Sequence, residues 1–93
     1  MARSLTYACM NSKHGRVLKA IFTDPVSGSI EWIAIEALLV AVGCHVIEGS
    51  GSRVRFAFKG EVETFHRPHP SNEAKRYQVR DARQFLLRIG VKP

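Results

Sequence analysis

Ninety-three residues supply one modest hydrophobic core and not two, and an apolar share of 45% is that of a globular chain rather than a disordered one. The formal charge of +6 is carried unevenly. Residues 1–52 hold four basic residues (Arg3, Lys13, Arg16, Lys19) and four acidic ones (Asp24, Glu31, Glu36, Glu48). Residues 53–93 hold ten basic residues against four acidic ones (Glu61, Glu63, Glu73, Asp81), so the whole excess lies in the second half. Such asymmetry suits a polyanionic partner, nucleic acid ahead of a membrane surface, with a merely solvated basic face as the common alternative. The longest apolar run, near residues 33–42, is interrupted by Glu36 and too short for a bilayer. Residues 1–10 lack the apolar segment of a signal peptide. The two cysteines, Cys9 and Cys44, form no CxxC pair and no histidine spacing completes a zinc site. No metal or other cofactor is therefore expected, and a reduced, cytoplasmic setting is the simple reading.

Residues 1–11 show no period and read as a loose leader ahead of a single domain over residues 12–93. Ser12 is a candidate cap for an extra helix over residues 12–23. Val17, Leu18, Ile21 and Phe22 form its apolar stripe, and Lys13, Arg16 and Lys19 face away. Asp24-Pro25 ends it, because a residue before proline avoids the α region. The core of the domain runs over residues 30–92. A helix over 30–42 places Trp32, Ile35, Leu38, Leu39 and Val42 on one side as core, and Gly43 terminates it. Residues 44–48 alternate as a strand, with Cys44 a small buried filler. Gly49-Ser50-Gly51-Ser52 forms a turn and not a phosphate-binding P-loop, since the Lys-Ser/Thr end of that motif is missing.

In the strand over residues 53–58, Val54, Phe56 and Phe58 point one way and Arg53, Arg55 and Ala57 the other. A two-residue turn at Lys59-Gly60 would put Glu63 opposite Phe56 on the core face. A three-residue loop over 59–61 is therefore expected. It sends Val62, Thr64 and His66 inward and leaves Glu63, Phe65 and Arg67 beside the arginine row, with Glu63 diagonal to Arg55. Pro68 and Pro70 stop this third strand, and residues 71–77 form a polar connection. A final helix over 78–89 turns Val79, Ala82, Phe85, Leu86 and Ile89 inward, and Gly90 closes it. The fold class is α+β. Helix, three antiparallel strands and helix follow the extra helix, and two helices cover one sheet face while the other stays open.

Three groups of residues carry candidate chemistry. Arg53, Arg55 and Arg67 present planar forks of donors suited to phosphates, and Phe65 among them can stack on a base; the bland alternative is a solvated strand face with an Arg–Glu63 pair. In His66-Arg67-Pro68-His69-Pro70, two imidazoles that titrate near neutrality can act as acid and base in phosphodiester cleavage. The bland alternatives are a satisfied core position for His66 and a corner-packing His69. Lys75, Arg76, Arg80 and Arg83 line one side of the last helix, either as phosphate contacts or as a solvated face.

Gly51-Ser52 before a strand, a strand ending Pro68-His69-Pro70, and a helix ending Leu-Arg-Ile-Gly90-Val91 together resemble the HicA family of bacterial toxins. The resemblance covers about residues 31–92. It implies a fold similar to double-stranded-RNA-binding domains, metal-independent cleavage of messenger RNA, and inhibition by a cognate HicB antitoxin. By the same resemblance, Gly51, Ser52 and His69 match family positions. The family's usual catalytic histidine follows Gly-Ser directly, and here that position is Arg53, followed by Val54. Arginine binds phosphate but does not exchange a proton at neutral pH. The acid–base group then falls to His66 or His69, or the protein binds RNA without cutting it, or its basic face docks an acidic antitoxin.

Overall fold

The computed structural model of the chain describes residues 10–93. The leader expected over residues 1–11 lies, as far as residue 9, outside the described residues. Met10 already packs on the core, and Asn11 caps the first helix, α1 (Ser12–Ile21). The cap is thus Asn11 rather than Ser12. Its side chain accepts from the His14 backbone N–H at 2.9 Å, and His14 Nδ1 accepts from the Asn11 N–H at 3.2 Å. This reciprocal pair satisfies two of the donors that a helix start leaves open. The helix stops at Ile21, two residues short of the expected end.

The second helix, α2 (Trp32–Ala41), sends Trp32, Ile35, Leu38 and Leu39 into the core. It ends as its sequence dictates. Gly43 adopts φ +114, and Cys44 N–H reaches back to Leu39 O at 3.0 Å. A side chain at Gly43 would also sit 3.0 Å from the Phe58 ring, which would have to shift to admit it. Three strands follow: β1 (His45–Glu48), β2 (Arg53–Phe58) and β3 (Glu61–His66), antiparallel in the order β1-β2-β3. The last helix, α3 (Arg76–Arg88), begins two residues earlier than expected. Its end repeats the closure of α2, with Gly90 at φ +83 and the buried Val91 donating to Leu86 O at 2.8 Å. The starts of α2 and α3 are tied together through Trp32 N–H to Asn72 O and Ala74 N–H to Ile30 O.

The β2–β3 connection departs from the expected register. Phe58 pairs with Glu61, Phe56 with Glu63, Val54 with Phe65 and Arg53 with His66, so the turn holds two residues. Lys59 and Gly60 both take positive φ, 52 and 83, the twist that matches two flanking strands in a two-residue hairpin. Phe65 therefore faces inward, 5.2 Å from the Trp32 ring and 6.0 Å from Phe56. Full burial of such a ring is worth about 2–3 kcal/mol, which outweighs the cost of turning Glu63 to the helix side. That cost is small because β3 is an edge strand within reach of Arg88 at the end of α3. Arg88 meets Glu61 at 2.9 Å and Glu63 at 3.0 Å. The expected Glu63–Arg55 pair does not form.

The helices thus cover one face of the sheet, and the core is continuous from Leu18 and Ile21 through Ile35, Phe56 and Phe65 to Phe85 and Leu86. This is an α+β, double-stranded-RNA-binding-domain-like α-β-β-β-α arrangement with an extra helix in front. Among the described residues no helix is long and apolar enough to cross a membrane.

Candidate nucleic-acid interface

The alternation of the strands sorts their side chains by charge. On the face turned away from the helices, cross-strand rows read Arg53–His66, then Ile47–Arg55–Thr64, then His45–Ala57–Val62. No carboxylate belongs to these rows. The acidic residues of the strands, Glu48, Glu61 and Glu63, all pair on the opposite face, beside Val54, Phe58 and Phe56. Each is neutralised there, Glu48 by Arg67 and the other two by Arg88. Arg53 and Arg55 are exposed and, among the described residues, make no ion pair.

The turn before β2 shapes the end of this face. Gly49 N–H donates to Arg53 O at 2.9 Å and Arg53 N–H to Ser50 O at 3.1 Å. A methyl group on Gly49 would come within 3.1 Å of Arg53 Cβ and 3.2 Å of its carbonyl. The missing side chain thus lets the turn close against Arg53. A shallow pocket of about 290 Å³ results, lined by Gly49, Ser50, Arg53, Arg55 and Thr64 among others. Two free guanidinium groups and two hydroxyls around such a space are suited to a phosphate group. Gly51 and Ser52 lie in the same turn, and Ser52 O accepts from Arg67 N–H at 2.8 Å, which fixes the end of β3 against it.

His66 is exposed and is the cross-strand neighbour of Arg53, so the expectation that it faces the core is corrected by the two-residue turn. Its carbonyl accepts from Nε2 of the buried Gln78, whose Oε1 in turn accepts from Lys75 N–H at 3.0 Å. One buried amide thereby joins the end of β3 to the start of α3. His69 is exposed in the bend three residues beyond.

Several residues expected at the interface stand elsewhere. Phe65 is in the core and offers no ring to a base. Arg67 lies between two carboxylates. Its Nε meets Glu36 at 2.7 Å and its Nη1 meets Glu48 at 2.7 Å. These bonds raise the guanidinium pKa further above its ordinary value, and the bond from Arg67 holds the Glu48 carboxyl below its own. Glu36 also accepts from the Trp32 indole N–H. Arg67 is therefore a clamp between α2 and β1 rather than a free phosphate ligand. Arg83 is spent on Ile21 O, Thr23 O and Asp24, and Arg76 donates to Val26 O at 3.2 Å. Both fasten α3 to the segment that follows α1. Lys75 and Arg80 are exposed.

Thr64, expected inward, Gly49 and Ser50, expected only as part of a turn, and His45 also belong to the open face or its rim. The Lys59-Gly60 dipeptide was the available signal for Thr64, since a two-residue turn fixes the parity of β3. Elsewhere, burial pushes the Cys44 thiol up to about 11, so it stays protonated near neutral pH. Among the described residues no three or more His, Cys, Asp or Glu side chains gather as metal ligands do.

The fold and this face define a small basic α+β domain with one carboxylate-free sheet surface. A family model described as the HicA toxin of bacterial toxin–antitoxin matches residues 32–89, from the first residue of α2 to just past α3 and more than half of the chain. The chain belongs to the HicA toxin family. Membership makes it the toxin of a toxin–antitoxin pair, with an antitoxin as its partner. Helix α1 lies outside the match. No curated protein and no solved structure matches the chain significantly.

Proposed function

We propose that this toxin binds RNA on the open face of its sheet and cuts messenger RNA there, without a metal, by acid–base chemistry. The observation that carries the reading is the separation of charge between the two faces. All strand carboxylates pair on the helix side, and Arg53 and Arg55 stand free among His66, Thr64 and His45 on the other. A surface with two guanidinium groups and no competing carboxylate attracts a phosphodiester backbone. In the proposed reaction Arg53 and Arg55 hold the phosphate, and His66 and His69 share the proton transfers. One imidazole takes the proton of the ribose 2′-hydroxyl as its oxygen attacks phosphorus. The bond to the 5′-oxygen breaks, and that oxygen takes a proton from the other imidazole, leaving a 2′,3′-cyclic phosphate. Arg53 offsets the charge that develops on the phosphoryl oxygens. The setting is the cytoplasm, and the partner that holds the toxin inactive is a HicB-like antitoxin.

A second reading keeps the binding and drops the chemistry. It is favoured by Arg53 itself, which stands where the resemblance expects the catalytic histidine. Incubation of the purified protein with single-stranded RNA in EDTA separates the two. Fragments ending in cyclic phosphate support cleavage. Salt-sensitive binding with no turnover at any pH supports the second reading, and cleavage gained on Arg53→His would then show an intact but inert scaffold. Absence of RNA binding at low salt overturns both.

A further inference from the structure

Helix α2 is apolar nearly all round. Its sequence, WIAIEALLVA, holds one charged residue, Glu36, and that carboxylate is tied to Arg67 and Trp32. A helix with two apolar faces is ordinarily covered on both. Here one face lies in the core, while Ile33 and Val40 on the other are 71% and 52% exposed, with Ala37 exposed between them. These three recur one turn apart along roughly 10 Å of helix. Beside them a groove of about 400 Å³ runs between α1 and α2, bordered by Lys13, His14 and Val17 on one side and Ile33, Ala34 and Ala37 on the other. The small Ala34 and Ala37 leave room for a third helix at the usual interaxial distance. The α1 side of the groove is basic. The charged residue bordering it from that helix is Lys13, with Arg16 exposed three residues further on and no carboxylate in the helix; Glu31 borders the groove as well.

We infer that the α1–α2 groove is a docking surface for an acidic amphipathic helix of a protein partner. The partner's apolar side covers Ile33, Ala37 and Val40, and its carboxylates face Lys13 and Arg16. Charge selects this occupant over the others. A second copy would meet the groove with the same patch, as two-fold symmetry requires, and would bring a second basic α1 to a basic rim. Nucleic acid suits the cations but gains nothing from an apolar floor. The surface is separate from the open sheet face and does not depend on the RNA reading. It gives α1, which lies outside the family match, a role in holding a partner while the sheet stays free.

Fluorescence anisotropy with a labelled peptide of about 18 residues, roughly five helical turns, tests this. Leucines at i, i+3, i+4 and i+7 and glutamates elsewhere make the probe, and a control carries lysine in place of glutamate. The acidic peptide is expected to bind the full chain saturably and the lysine control at least about tenfold more weakly. Ile33→Glu, Val40→Glu and the double variant Lys13→Glu/Arg16→Glu are each expected to weaken binding at least about tenfold, while Arg53→Ala/Arg55→Ala leaves it unchanged. The altered residues are exposed, and circular dichroism checks that each variant stays folded. Absence of saturable binding, equal binding of the two peptides, or indifference to Ile33→Glu and Val40→Glu overturns the proposal. So does a dimer in sedimentation equilibrium that Ile33→Glu dissociates, since a second copy would then own the groove. RNA affinity lost in Ile33→Glu would overturn it equally, in favour of nucleic acid.

Discussion

Arg53 and His66 face each other across β2 and β3 on the open side of the sheet. Directly paired residues of antiparallel strands hold their Cβ atoms about 5 Å apart, so guanidinium and imidazole can engage one phosphodiester together. The neighbourhood is fixed from behind by the buried Gln78, which donates to the His66 carbonyl. If cleavage occurs, His66→Ala is expected to lower it by about 10²–10⁴-fold, the usual contribution of a positioned acid or base. The side chain is exposed, so stability should stay within about 0.5 kcal/mol of the wild type. Single-turnover cleavage and urea denaturation of the same variant read the two effects separately. Full cleavage by His66→Ala would remove it from the reaction and leave His69 as the remaining candidate.

The arginines of the second half divide into those that hold the fold and those that are free. Arg53→Ala and Arg55→Ala are each expected to reduce the salt dependence of RNA binding by about one phosphate contact with little effect on stability. Arg83→Ala should do the opposite. Its guanidinium bonds two main-chain carbonyls and Asp24, and its loss should cost about 1–3 kcal/mol while leaving the salt slope intact. Binding titrations over a series of salt concentrations, paired with denaturation curves, test the division. An altered slope in Arg83→Ala alone would reverse it.

The register of β3 has its own test. Phe65 is buried against Trp32 and Phe56, whereas Val62, two positions from the turn, is exposed on the other face. Phe65→Ala should destabilise by about 3–5 kcal/mol and Val62→Ala by less than about 0.5 kcal/mol. A three-residue turn would reverse the order, so equilibrium unfolding of these two variants distinguishes the registers without a structure.

The helices and strands were legible because their signals are local. Trp32, Ile35, Leu38 and Leu39 recur with the helical period, Val54 and Phe56 alternate, and Gly43 and Gly90 stand where helices must end. The site was less legible because its sign depends on parity. A single residue more or fewer in the Lys59-Gly60 turn exchanges the faces of Phe65 and His66. Glu63 opposite Phe56 counts against the shorter turn in sequence terms, because nothing local shows that Arg88, twenty-five residues later, receives Glu63. Arg67 was misassigned for a related reason. Its partners Glu36 and Glu48 lie on two other elements, and no spacing in the chain brings them together. Ion pairs across a fold are properties of tertiary geometry, so a residue whose type suits phosphate can be fully spent on carboxylates.

That clamp sets a pH dependence. The hydrogen bond from Arg67 holds the Glu48 carboxyl below its ordinary value, so the folded state binds fewer protons there than the unfolded chain. The contribution is complete above the unfolded carboxylate pKa, about 4.3, and is lost as the pH falls through the lower folded value. Glu48 is largely exposed and its share is screened by solvent. The part-buried Glu36, left with only the Trp32 indole when Arg67 is removed, supplies most of the effect at neutral pH. Arg67→Met is therefore expected to cost about 1–2 kcal/mol at neutral pH. As the pH falls through the lower folded value of Glu48 the two curves should draw closer, because the wild type then loses the Glu48 side of its clamp. Urea denaturation of both across the acid range gives the two curves. Curves that stay parallel down through that range would show that Arg67 contributes by packing its aliphatic stem rather than by its charge.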